Sequence, residues 1–243
     1  VGGGAGGLEL ATTLGHQLGK RGKACVTLID KTRSHIWKPK LHEIAAGSMD
    51  IGDHEVAYLA QAHWHGFRFR IGQMTGLDRS AREVHVAPFV DEDGKEVTPA
   101  RSFPYDTLVI AVGSQSNDFG TPGVREHALK LETVADARRF HMRMVNACVR
   151  AHAQLTPLRP EQLHVAIIGA GATGVELAAE LHHTTREVVA YGLDRVDADK
   201  DIRLALIEAA PRVLPRLLQL MPPSLPLLTA LDAALPAAQG VVA

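Results

Sequence analysis

Cysteine is scarce. Cys25 and Cys148 are the only two in 243 residues, far apart and in no Cys-x-x-Cys arrangement. That excludes a disulfide framework or a structural zinc site built on cysteines, and it fits a reducing cytoplasm. Positive charge is not in excess either, because 26 basic residues meet 27 acidic ones for a net charge of -1. A phosphate polymer needs surplus cations to displace its counterions, so nucleic acid is not an expected partner. No apolar run reaches the ~20 uninterrupted residues of a membrane-spanning helix. The segment Val213 to Ala243 comes nearest, with Arg216 and Asp232 as its only charges, but Pro215, Pro222, Pro223, Pro226 and Pro236 break it. Metal-ligand sets are missing as well: His63-Trp64-His65 and His182-His183 have no companion cysteines or carboxylates at ligand spacing, so no metal is expected. No nucleophile elbow or Cys–His pair is evident.

What is present is the balance of a soluble globular protein, with 46% hydrophobic and 22% charged residues, and an internal repeat. The run Gly2-Gly3-Gly4-Ala5-Gly6-Gly7-Leu8-Glu9-Leu10-Ala11 recurs as Gly169-Ala170-Gly171-Ala172-Thr173-Gly174-Val175-Glu176-Leu177-Ala178, an offset of 167 residues (169 minus 2). Solenoid units run to roughly 20 to 50 residues, so this period points to two similar domains. The second copy is complete: the apolar run Leu163 to Ile168 ends at the first glycine, and Val175 to His182 has helical spacing. The first copy shows the same helix at Leu8 to Leu14, then a strand from Ala24 to Ile29 that ends at Asp30. Only Val1 precedes its turn, so the N-terminus is expected to have been cut. Short strands are predicted at Phe67 to Ile71, Glu83 to Val86 and Thr107 to Val112, and a helix at Val134 to Ala151 opened by a Thr133/Asp136 capping box.

Each glycine has a distinct task. Gly2 and Gly169 make the tight turn, Gly4 and Gly171 let the backbone approach a diphosphate, and Gly7 and Gly174 let the helix lie close on the strand. Each copy is expected to hold one dinucleotide. Asp30, 23 residues beyond Gly7 (30 minus 7), is the expected ribose-binding acid of the first. Glu208, which follows Ile202 to Ile207, is that of the second, and a carboxylate there would repel a 2′-phosphate. Its distance from Gly174, 34 residues (208 minus 174), implies an insertion around His182 to Asp201. Glu9 and Glu176 are expected in the first helical turn, where an acid meets the positive helix end, a contribution of roughly 0.3–1 kcal/mol. For Glu176 a catalytic role at the hydride-transfer end of a nicotinamide is also considered.

The segment His35 to Gly47 (His-Ile-Trp-Lys-Pro-Lys-Leu-His-Glu-Ile-Ala-Ala-Gly) resembles the stretch after the ribose-binding acid in type II NADH:quinone oxidoreductases, which belong to the FAD-dependent pyridine nucleotide–disulfide oxidoreductases. Tyr105 to Ser114 resembles the family's second FAD motif, Phe119 to Val124 its crossing into the NADH domain, and Gly169 to Glu176 its NADH fingerprint. The resemblance implies an α/β fold of two incomplete Rossmann-like domains of the three-layer β/β/α type. The expected boundaries are 1–120 for the FAD domain, 121–160 for a linker with a helix, 161–212 for the NADH domain and 213–243 for an atypical tail. It implies FAD at Gly2, Gly4, Gly7, Asp30, Pro39, Ala111 and Gly113, with Lys31 able to reach the adenosine end. NADH is assigned to Gly169, Gly171, Gly174, Glu176 and Glu208.

Carried further, the resemblance implies hydride transfer from NADH to FAD and electrons passed on to a quinone. A cytoplasmic protein held peripherally on the inner face of the cell membrane is the matching location, and a homodimer is left open. The family's later Gly-Asp motif is not found after Glu208, so the chain is expected to be truncated at both ends. Two alternatives stay open: a ferredoxin, nitrite or sulfide:quinone reductase of the same family, or a catalytically dead fragment that only binds nucleotide. Disulfide reductases are disfavoured by the missing cysteine pair.

Overall fold

The structure, a computed structural model, describes residues 1–210 and Val213. The predicted tail from Leu214 onward lies outside the described residues. Two compact units emerge, one made of Val1–Lys38 with Asp50–Val124, the other of Pro39–Met49 with the chain from Arg125 onward.

In the first unit, helix α1 (Ala5–Leu14) leads through a π-helical turn, Gly15–Gly19, to strand β1 (Thr27–Asp30). A short strand β2 (Ser34–His35) follows; after helix α2 (Leu41–Ala46), which belongs to the other unit, come β3 (Val56–Ala57), α3 (Tyr58–His65) and β4 (Arg68–Ile71). β1 and β4 pair in parallel from Thr27↔Arg68 to Asp30↔Ile71, and β2 pairs antiparallel with β3. The remaining strands are β5 (Met74–Asp78), β6 (Glu83–Val86), β7 (Phe89–Val90), β8 (Glu96–Thr98) and β9 (Arg101–Pro104). They form an antiparallel β5-β6-β9 sheet and a β7-β8 hairpin.

Side chains alternate across a strand, and β1 uses both faces. Leu28 is buried with Ala11, Tyr58, Ala62, Phe67 and Phe69, the helical side. Its neighbour Ile29 is buried with Val84 and Val86 of β6, against which Met74, Phe103 and Leu108 also pack. One parallel layer thus has helices on one face and an antiparallel sheet on the other, the β/β/α layering expected from the sequence.

The second unit contains α2 and, after a short α4 (Val124–His127) at the crossing, α5 (Val134–Ala153), β10 (Leu163–Ile168), α6 (Ala172–Ala190) and β11 (Ile202–Ile207). β10 and β11 are parallel and in register over six pairs, from Leu163↔Ile202 to Ile168↔Ile207. Cys148, Ala151, Leu163, Val196 and Ile202 are its core. Burial pushes the Cys148 thiol up, so it behaves as a small apolar side chain rather than a nucleophile. α2 buries Leu41, Ile44, Ala45 and Ala46 and packs on α5 and α6.

The predicted capping box is present, with Thr133 accepting from the Asp136 amide and Asp136 accepting in return from the Thr133 amide at 3.0 Å. Thr133→Ala is expected to cost about 1 kcal/mol of stability. A chemical-denaturation midpoint unchanged by the substitution would contradict that role.

Two expectations need correction. Thr107 to Val112 is not a strand; its ladder bonds are limited to Val1, whose amine donates to the Val109 carbonyl and whose carbonyl accepts from the Ala111 amide at 2.7 Å. One residue is too short a partner to build a ladder. Glu9 and Glu176 stand in the second helical turn, since α1 and α6 begin at Ala5 and Ala172. Helix-end stabilisation falls off within the first turn, so that account of Glu9 fails.

Candidate functional site

The repeat in the sequence is a repeat of hydrogen bonds. In the first unit the Gly2 amide donates to the Ile29 carbonyl at 2.8 Å, and the Gly169 amide donates to the Ile207 carbonyl at 2.8 Å in the second. One residue on, the Gly3 amide donates to Asp30 Oδ2 at 2.6 Å and the Ala170 amide to Glu208 Oε2 at 2.7 Å. Each turn is therefore tied to its parallel strand pair by one carbonyl and one carboxylate.

Gly2 has φ +97° and Gly169 φ +102°, a region that side-chain-bearing residues rarely adopt. A Cβ on Gly7 would fall less than 3.0 Å from the Gly2 carbonyl oxygen, and one on Gly174 less than 3.0 Å from that of Gly169. The third glycine of each motif is thus fixed by close approach. The second behaves oppositely: Gly4 and Gly171 are exposed, and a Cβ on either would meet nothing within 4 Å. Both are extended N-caps without a side-chain cap bond, so the first amides of α1 and α6 have open space beside them and no side-chain acceptor at the cap. A diphosphate fits that chemistry.

The acids keep acceptor capacity. Asp30 Oδ1 takes the Thr32 amide at 2.8 Å and the Thr32 hydroxyl at 2.7 Å, and Glu208 Oε1 takes the Ala210 amide at 3.0 Å. A carboxylate offers about four lone-pair sites, so Glu208 has room for a vicinal diol. The amides of Ala210 and then Ala170 hold its pKa below the usual carboxylate range. A depressed folded-state pKa means the stabilisation is complete above the ordinary glutamate value, about 4.3, and is lost as pH falls through the depressed one. The stability gap between wild type and Glu208→Gln should therefore be flat at neutral pH and narrow in acid; a gap that widens on acidification would contradict it.

Ala111 joins the first turn, its carbonyl lying where a Cβ on Gly2 would clash. Gly113, at φ +73°, is exposed two residues on, and Lys31 is exposed directly after Asp30. Lys38 Nζ donates to the Ser114 carbonyl at 3.0 Å, joining the two flanking segments. Pro39 is counted with the second unit, where its carbonyl faces His42 Nδ1 at 2.7 Å. A carbonyl only accepts, so Nδ1 carries the hydrogen. Glu176 Oε2 lies 3.5 Å from the same nitrogen, which ties the second turn of α6 to α2.

Sequence reading missed Thr32, Tyr58 and His42. Thr32 could have been found as the Asx-turn partner two residues after Asp30. Tyr58 carries no local signal, since Gly3 lies 55 positions away, and the contact of His42 with Glu176 is likewise remote in sequence.

The profile of the family described as pyridine nucleotide-disulphide oxidoreductase matches residues 1–221. The chain belongs to that family. Among curated proteins it is 40% identical over 229 residues to a type II NADH:quinone oxidoreductase of Haemophilus influenzae, covering 89% of this chain and 51% of that one. It is 30% identical to a type II NADH:quinone oxidoreductase of Mycobacterium tuberculosis, covering 88% and 43%. The chain spans about half the length of the curated relatives it matches. Among solved structures, NDH2 of Plasmodium falciparum in complex with NADH superposes with a TM-score of 0.72 at 23% identity, over 88% of this chain and 42% of that one. A ferredoxin reductase of Rhodopseudomonas palustris gives 0.63 at 20% identity, over 99% and 47%. At these identities the structures establish the Rossmann-like fold of the family.

Proposed function

We propose that this chain is the two-dinucleotide-binding part of a type II NADH:quinone oxidoreductase, with FAD on the first turn and NADH on the second. The observation that carries the reading is the matched pair of amide-to-carboxylate bonds, Gly3 to Asp30 and Ala170 to Glu208. Similarity to relatives named for NADH and quinone supplies the donor and the acceptor. FAD, when bound, would supply the redox chemistry between NADH and a quinone, and the residues would hold and orient it.

The chain's residues bind and orient. Gly2, Gly4, Gly7 and Asp30, with Ala111 and Gly113 beside them and Lys31 toward the adenosine, hold FAD; Pro39 is assigned to FAD by the family resemblance alone. Gly169, Gly171, Gly174 and Glu208 hold NADH. Ala209 and Ala210 follow Glu208, so neither of the two residues after the acid offers a cation to a 2′-phosphate. Glu176, held against His42, is the catalytic candidate at the nicotinamide end. Among the described residues no helix is long and apolar enough to cross a membrane, and the site of quinone reduction is assigned to the inner face of the cell membrane through peripheral attachment, as a monomer or a homodimer.

Anaerobic mixing of the full-length protein with NADH should bleach the long-wavelength flavin band, and a soluble quinone should restore it. A bound flavin that NADH leaves unbleached would leave only nucleotide binding and remove the dehydrogenase.

A further inference from the structure

The two turns differ at one position. The first has Gly3 where the second has Ala170. Ala170 is fully buried, and its methyl narrows the backbone freedom that a glycine would have there. Under the first, a Cβ on Gly3 would fall less than 3.0 Å from the hydroxyl and ring of Tyr58. Tyr58 is 2% exposed, packs against Phe69 with the ring centroids 5.0 Å apart, and donates its hydroxyl to the Gly3 carbonyl at 2.6 Å. Gly3 is therefore held through both of its backbone polar groups, its amide by Asp30 and its carbonyl by Tyr58.

A run of three glycines is the most mobile turn a chain can make, and its freedom is lost on binding. Fixing it beforehand removes that cost. Burial, reinforced by the nearby Asp30 carboxylate, keeps the Tyr58 hydroxyl protonated and so a donor at all ordinary pH.

Taking the first turn as the FAD turn, as proposed above, we propose that Tyr58 is a positioning residue for FAD. Its hydroxyl locks the Gly3 peptide so that the dinucleotide stays resident, while the second turn, restrained by the Ala170 methyl, exchanges its dinucleotide. Gly3 and Tyr58 then act as a pair, the missing side chain making room for the hydroxyl.

The test compares Tyr58→Phe with wild type in the full-length flavoprotein. Removing the hydroxyl leaves the ring in place and the buried Gly3 carbonyl unpaired, so FAD release should quicken by roughly five- to tenfold. NADH affinity should stay within about twofold, because the Tyr58 hydroxyl is bonded to the first turn. Site-specific 3-fluorotyrosine at position 58 gives a stronger donor of nearly the same shape, and FAD should leave more slowly than from wild type. Unchanged FAD release in both variants, or NADH affinity moving by the same factor as FAD release, overturns the proposal and leaves Tyr58 as core packing. A Tyr58→Phe chain that does not fold leaves the fluorotyrosine comparison to decide. Wild-type protein that holds no FAD overturns the parent reading, and this one with it; wild type with FAD and no response in the variants overturns this one alone.

Discussion

Gly174→Ala is expected to weaken NADH binding up to about a hundredfold while the flavin stays bound. The added methyl would sit less than 3.0 Å from the Gly169 carbonyl oxygen, a backbone atom that cannot swing aside as the end of a side chain would. Relief requires the start of α6 to move off β10, and the amides proposed to receive the diphosphate move with it. Overpacking of this kind costs about 1–3 kcal/mol. Since 1.4 kcal/mol is tenfold, NADH affinity should fall by roughly a hundredfold. Gly7→Ala repeats the clash against Gly2 in the first turn, and there the expected loss is the flavin. Flavin absorbance after gel filtration and an NADH titration separate the two outcomes. Normal NADH binding by Gly174→Ala would show that close packing at this glycine does not shape the site.

The second large effect concerns coenzyme choice. Glu208 closes β11 with one oxygen on the Ala170 amide and the other on the Ala210 amide, and the exposed Ala209 stands between. With Glu208 at the adenosine ribose, as proposed, a 2′-phosphate would meet this carboxylate. Replacing Glu208 by Ala and Ala209 by Arg removes the repulsion and supplies a donor fork suited to phosphate. A hydrogen bond to a charged group contributes roughly 1.5–3 kcal/mol, so the NADPH/NADH ratio of kcat/KM should rise on the order of a hundredfold. Glu208→Ala alone should weaken NADH, because the Ala170 amide loses its acceptor. A preference for NADH that survives the double substitution would remove Glu208 from the ribose site.

Much of the site was legible in the sequence because its signals are local. The glycines, the strands Leu163–Ile168 and Ile202–Ile207, and the Thr133 cap are written within short windows, and the structure reproduces those strand limits. Asp30 and Glu208 were readable as acids at strand ends, though their bonds to the turns were not. What failed depended on distance. Thr107 to Val112 has the pattern of a strand but only Val1 to pair with. The helices begin inside the glycine motifs, which moved Glu9 and Glu176 inward by a turn. α2 follows the first unit's strands in sequence yet packs on α5 and α6, through an apolar face whose partner no local pattern names. Tyr58 meets Gly3 across 55 positions, and nothing near either residue announces the contact.

Titration calorimetry on the full-length protein freed of flavin tests the duplicated turn most directly. FAD and NADH should each bind with one site per chain, and saturation with one should leave the other site available. A single site for which the two dinucleotides compete would contradict the assignment of both turns.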